Sequence, residues 1–286
     1  MTWFEPIKLT ILAWFADFKA DFILNFVEDN RWKYLTSGLA NTLKITLLSL
    51  LIGVVLGIIV AIIRSSHDNI VHEMRPGLGK FLMKLANGVC KVYLTIFRGT
   101  PVVVQLMIMY YIIFASSRNG VLVASLAFGI NSGAYVAEIF RSGIMAIDAG
   151  QMEAGRSLGF GYVATMRHII LPQAFKNVLP ALANEFITLL KETSVAGYVT
   201  VRDLTMGGNI IRSVTYSPFM PLFAVALIYL VMVVFFTWLV GKLERRLQNT
   251  GARAVKAKTR LAWGGESVSD FGAVKETQSK EGKGNV

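Results

Sequence analysis

Cysteine is all but missing: Cys90 is the single one in 286 residues. That excludes an internal disulfide and any cysteine-built metal centre. Histidine is scarce too, scattered at His67, His72 and His168, so neither a metal site nor a nucleophile triad finds its parts together. No G-x-x-x-x-G-K-[ST] segment is present to cradle a nucleotide phosphate. Charge is thin, 16% of residues against roughly 25% in soluble domains. These shortages point away from an enzyme. If the protein's work costs energy, another chain supplies it.

What the chain has in excess is apolar residues, 54%, gathered in blocks long enough to enter a bilayer. The fold class expected is an all-α integral membrane protein. The formal charge of +11 does not call for nucleic acid, because Lys and Arg in a membrane protein record which side of the bilayer a loop faces.

Residues 1–36 hold Trp3, Trp14 and Trp32 among five phenylalanines, interrupted by Lys8, Asp17, Lys19 and Asp21. No run of about 20 residues there is free of charge, so an amphipathic helix lying in the interface is expected rather than a span. The segment lacks the compact basic region and cleavage site of a signal peptide. A membrane domain is expected over 37–247. Its spans are expected at about 39–63, 81–115, 121–144, 173–190 and 218–240. Gly53 and Gly57 form a G-x-x-x-G pair that suits either close helix approach or incidental packing. The second apolar region is broken at Arg98-Gly99-Thr100-Pro101, where proline removes a donor and disfavours helix before it. Arg98 either snorkels to the interface or lies deeper and serves transport. Glu138 and Arg141, three apart, share a helical face and can pair. The basic tail, 248–286, is expected to be disordered.

Five spans put the ends on opposite sides. Sixteen lysines and arginines fall on the side of the 141–172 segment and of the stretch after the last span, against nine opposite, before the distal tail is counted. That bias predicts an outside N-terminus and a cytoplasmic C-terminus.

The 145–171 loop stands out because it is polar and glycine-punctuated between apolar runs. Asp148 suits the cap of a short helix reaching Leu158. Gly159 and Gly161 suit a tight reversal, and a second helix from about Tyr162 runs toward Pro172. Two short helices at an angle make a knob that fits a groove on a partner, or an ordinary hairpin loop.

E-A-G-x-x-x-G at Glu153 to Gly159, with I-I-L-P at Ile169 to Pro172, resembles the EAA loop of permease subunits of ATP-binding-cassette importers. The usual form is E-A-A-x-x-x-G, so Gly155 stands where an alanine is common. F-R-G-T-P-V-V-V-Q-L at Phe97, A-Y-V-A-E-I-F-R-S-G-I at Ala134 and L-L-K-E-T-S-V at Leu189 narrow the resemblance to the permeases for polar amino acids such as histidine, arginine, glutamine or glutamate. It covers about residues 36–247. It implies a five-helix permease core of the MetI-like fold in the cell inner membrane, with cytoplasmic coupling helices. Implied partners are ATPase subunits that hold ATP and magnesium, a second permease copy or paralogue, and an extracytoplasmic binding protein. Glu153, Ala154, Gly155, Gly159 and Pro172 become the implied ATPase-coupling residues.

Intramembrane polar groups are expensive in lipid unless they face a cavity or a partner. Arg98, Gln105, Glu138, Asn184, Glu185, Lys191, Glu192, Thr193 and Ser194 are therefore candidates for the substrate path, each also able to make interhelical bonds. An ion-driven secondary transporter is the alternative. It would show more spans and internal repeats, and no half-to-half similarity is visible.

Overall fold

The computed structural model describes residues 4–72 and 74–262. Among them there is no strand. The N-terminal helix α1 (Phe4–Phe22) runs through a π-helical turn, Ile23–Val27, into a reversal at Asp29 and Asn30. Both have positive φ, 49° and 55°, a conformation that short polar side chains tolerate. Arg31 holds this elbow, donating to the Leu24 carbonyl and to Asp29 at 2.7 Å. Asn25 is buried and its amide oxygen accepts from the Thr215 hydroxyl at 2.8 Å. The N-terminal arm is thus fastened to the body at its base, while Trp14, Phe15, Phe18 and Phe22 stay exposed.

α2 (Trp32–Ile70) is 39 residues long, about 58 Å at 1.5 Å per residue. It overruns the expected 39–63 span at both ends. Its main neighbour is α5 (Gly120–Met145), and the G-x-x-x-G pair explains how they meet. A Cβ on Gly57 would lie 2.5 Å from Val136 Cγ1, and one on Gly53 3.0 Å from Ser132 Oγ. Gly129 and Gly133 answer from α5, where a Cβ would meet Ile52 and Leu56 side chains at 2.7 and 3.0 Å. The two backbones approach because each supplies glycine where the other supplies bulk.

Between them the chain makes α3 (Leu78–Gly99) and α4 (Val102–Ile108), extended by a π-helical Met109–Ile113. The pair bends by 109° at the break expected from Pro101. Thr100 is extended, at φ −121° and ψ 148°, the conformation that the residue before proline prefers.

Past α5 come α6 (Ala149–Ser157), α7 (Tyr162–Thr165) and a π-helical stretch, Met166–Ile170, that leads without interruption into α8 (Leu171–Glu192). Pro172 sits in the first turn of α8, just past the π-helical stretch, where its missing N–H coincides with the change of helical hydrogen-bond pattern. α9 (Leu204–Thr215), not foreseen as a helix, is capped by buried Asp203, which accepts from Thr205 and Met206 N–H at 3.0 Å each. Burial raises the pKa of Asp203 and these backbone donors lower it, with burial the larger cause. α10 (Phe219–Ala262) is the last helix among the described residues. It continues as helix through 248–262, where disorder is expected from composition. Residues 263–286 lie outside the described ones. By contact the body ends at Trp238, and the rest of α10 belongs to a second unit.

By length and composition α2, α5 and α10 can each cross a bilayer, and the bent α3–α4 pair makes a fourth among the described residues. α8, expected as a span over 173–190, is long enough at 22 residues. Its polar side chains, Lys176, Asn177, Asn184 and Glu185 among them, set it apart from those apolar helices. Asn177 and Glu185 border a groove against α5, while Lys176 and Asn184 are exposed.

Candidate functional site

The hairpin between α5 and α8 is built residue by residue from its motif. Asp148 caps α6, its carboxylate accepting from Gly150 N–H at 2.7 Å. At the other end Phe160 N–H bonds to Gly155 C=O and Gly159 N–H to Arg156 C=O, at 3.1 and 3.0 Å. This is a Schellman motif with its left-handed residue at Gly159, φ +83°. Gly161, expected to share that role, is extended at φ −68° and serves as the cap of α7. Gly155 is buried against the returning arm: a Cβ there would fall 2.5 Å from Thr165 Cγ2. The alanine common at this position would not fit beside Thr165. Glu153 and Ala154 are exposed, as is Pro172, and Glu153 also borders the space between the hairpin and the end of α2. The spacing thus has a division of labour: Gly155 closes the hairpin, Gly159 turns it, and Glu153 and Ala154 form the outer surface.

A second site lies between the helices that carry the hairpin. α5 and α8 flank a groove of about 460 Å³ lined by Tyr135, Glu138, Ser142, Asn177 and Glu185, among others. Asn177, Ala181 and Glu185 recur every four residues and form one stripe of α8. Glu185 accepts from the Ser132 hydroxyl at 2.7 Å. Glu138 draws three guanidinium groups: Arg64 at 3.2 Å, Arg98 at 3.8 Å and Arg141 at 3.9 Å. Arg141 reaches on to Asp68 at 3.5 Å. Arg98 also lies over the Tyr135 ring, 5.7 Å from its centroid, so it is held at the groove's edge.

The other path candidates are placed differently. Gln105 is buried and closes the α3–α4 bend: its amide nitrogen donates to Phe97 C=O, Thr100 C=O and Thr100 Oγ1 at 2.7 to 3.1 Å. Its oxygen accepts from Asn131 at 2.9 Å. Both ends of that amide are engaged within the fold. Asn184 is exposed, off the Asn177–Glu185 stripe. Lys191 is exposed, Glu192 and Ser194 are half-buried, and buried Thr193 donates to Leu190 C=O at 2.9 Å. These four sit at the far end of α8 and in the 3-10 turn after it, away from the groove lining. Tyr135, Ser142 and Asn177 were missed. Tyr135 lies inside the quoted A-Y-V-A-E-I-F-R run, and the helical phase of Glu185 would have selected Asn177.

Residues 77–249 match the family of binding-protein-dependent transport system inner membrane components. The arginine transport system permease protein ArtQ of Bacillus subtilis (strain 168) is 37% identical over 219 residues, 76% of this chain and 93% of that protein. The glutamine transport system permease protein GlnP of Escherichia coli (strain K12) is 36% identical over 57% of this chain and 77% of its own length. Among solved structures, an amino acid ABC transporter crystallised with histidines is 40% identical, with a TM-score of 0.68 over 77% of this chain and 98% of that one.

Proposed function

Since the chain belongs to the family of binding-protein-dependent transport system inner membrane components, we propose that it is the permease subunit of an ATP-driven importer of a polar amino acid. The observation that carries the mechanism is where the hairpin is spliced in. It leaves α5 at Met145 and rejoins α8 at Leu171, and the same two helices wall the groove that holds Glu138 and Glu185. A partner that grips the hairpin therefore moves the groove.

In this reading the hairpin lies on the cytoplasmic side with the C-terminus, the side favoured by the basic-residue bias. Glu153 and Ala154 dock into an ATPase subunit, which binds ATP and magnesium. A second permease, identical or similar, completes the translocation path. An extracytoplasmic binding protein delivers the solute. ATP binding shifts a two-state equilibrium between inward- and outward-open forms, with the hairpin moving as a near-rigid body. Arg98 and Glu185 supply opposite charges for the carboxylate and ammonium of an amino acid, and Tyr135 and Asn177 add neutral contacts. Gln105, committed to the bend, keeps the α3–α4 corner in place beside that path.

The test is uptake of labelled arginine, glutamine or histidine into proteoliposomes containing the permease, its ATPase and its binding protein. Uptake should require ATP, and Glu153→Arg should abolish it while leaving the permease in the membrane. Wild-type uptake by Glu153→Arg would overturn the coupling role. Uptake driven by an ion gradient without ATP would instead support a secondary transporter, which the relatives do not favour.

A further inference from the structure

The hairpin encloses two cavities against the end of α2, and they differ in charge. One, of about 500 Å³, has Asp68, Asp148 and Glu153 on its wall along with Arg141 and Arg156. The other, of about 610 Å³, is walled by Arg156, Tyr162, Arg167 and His168 with no carboxylate. Asn69, Met152 and Arg156 border both cavities, so Arg167 and His168 are the basic groups particular to the second. Among the described residues no carboxylate pairs with Arg167. Burial pushes the pKa of the Tyr162 hydroxyl up, against hydrogen bonds with Ser65 and Asn69 that lower it.

From this geometry we infer that the second cavity is a binding site for a phosphate-bearing anion, and that its occupant is the headgroup of an anionic phospholipid of the adjoining leaflet. This rests on the hairpin lying on the membrane's cytoplasmic face. Ile70, on the cavity wall, is seven residues past Ile63, where the charge-free run of α2 ends, about 10 Å beyond the hydrocarbon, so the cavity borders the outer edge of a headgroup layer roughly 5–8 Å thick. The wall also includes Ile70 and Val163, apolar groups that an acylglycerol uses and a free phosphate does not. Basic pockets beside transmembrane helices on the cytoplasmic side are the expected seats of anionic headgroups. An anion there would tie α2 to the returning arm of the hairpin.

The experiment is thermal unfolding of the full-length permease in phosphatidylcholine nanodiscs as phosphatidylglycerol is raised at fixed ionic strength. The wild type should gain stability and saturate, and Arg167→Lys should behave alike. Arg167→Gln/His168→Gln should need about tenfold more phosphatidylglycerol for half the effect, about 1.4 kcal/mol. Gly161→Glu offers a second variant, because a Cβ there meets nothing within 4 Å and the new carboxylate should weaken binding similarly. Equal half-saturation in wild type and both variants overturns the site. If inorganic phosphate in pure phosphatidylcholine gives the same shift, the anion site stands and the lipid as occupant falls. Neither ATP nor ATPase is needed, so a failure here is separable from failure of the coupling reading, which uptake tests.

Discussion

Gly159 and Gly161 stand two residues apart in the exposed turn, and at both a Cβ would meet nothing within 4 Å. They differ in backbone alone: φ is +83° at Gly159 and −68° at Gly161. Alanine at 159 must enter the left-handed region, at about 1–2 kcal/mol. Alanine at 161 meets no such strain and narrows the unfolded ensemble, a gain of about 0.4–1 kcal/mol. The cost at 159 falls on the Schellman bonds, Phe160 N–H to Gly155 C=O and Gly159 N–H to Arg156 C=O. Hydrogen exchange of the Phe160 amide should therefore speed up about 5- to 30-fold in Gly159→Ala and slow or hold in Gly161→Ala. ATP-driven uptake should fall in the first and persist in the second, because a loosened hairpin transmits less motion. Equal exchange in the two variants would refute the backbone argument. Faster exchange in Gly159→Ala with undiminished uptake would refute the link from turn rigidity to coupling.

Gly155→Ala, which installs the residue common in the motif, should lower stability by about 1–3 kcal/mol through overpacking against Thr165, and Gly155→Ala/Thr165→Ala should recover most of it; additive losses in thermal melts would contradict that packing. Glu138→Gln leaves Arg64 and Arg98 short of a counter-charge, while Arg141 keeps Asp68, and should cost about 1–3 kcal/mol, between exposed and buried pairs. A double-mutant cycle with Arg64→Gln should return a coupling of at least about 0.5 kcal/mol, and a value near zero would remove that pair from the account. Asp203 has a pKa raised above its ordinary 3.8 by burial, so its contribution is fully present below pH 3.8 and lost as pH rises through the folded-state value. The melting-temperature difference between wild type and Asp203→Asn should shrink over that rise, and a pH-independent difference would contradict the burial effect.

Features set by a single residue's covalent chemistry were legible in the sequence. Pro101 announces the 109° bend because it lacks an N–H, Asp148 announces α6 because its short carboxylate reaches a free donor, and Gly159 announces the turn. Features set by a distant surface were not. α9 carries Gly207 and Gly208 in its middle, which weakens any helix prediction. Both are needed, since a Cβ at 207 would lie 2.5 Å from Tyr34 C=O and one at 208 2.5 Å from Val225 Cγ2. Gln105 has the same chemistry as a path residue, and only its partners across the bend distinguish it. Likewise a polar residue in α8 can be noticed from sequence, but its stripe decides its use. Asn177 lines the groove and Asn184 does not.

Which interfaces can move follows from how each is made. The α2–α5 contact interlocks backbone with side chain at Gly53, Gly57, Gly129 and Gly133, where even one added carbon would fall within about 3 Å of the neighbour. Sliding by one residue would put bulk where glycine now sits, so the two helices travel together. The ion pairs around Glu138 are of another kind. They span 3.2 to 3.9 Å between partly exposed side chains, and such pairs exchange partners at about 0–1 kcal/mol each. Arg64 belongs to the interlocked body. Arg98 ends α3, and that end is bonded to α5 as well, where Asn131 donates to Phe97 C=O at 2.9 Å and Tyr93 donates to Ile130 C=O at 2.6 Å. When the hairpin carries α5, the α3 end should therefore travel with it, and only the Arg98 side chain has to change partner. On the proposed path, a solute carboxylate that takes up Arg98 would replace Glu138 without any helix sliding, so Arg98→Gln should weaken uptake while leaving the α2–α5 packing intact.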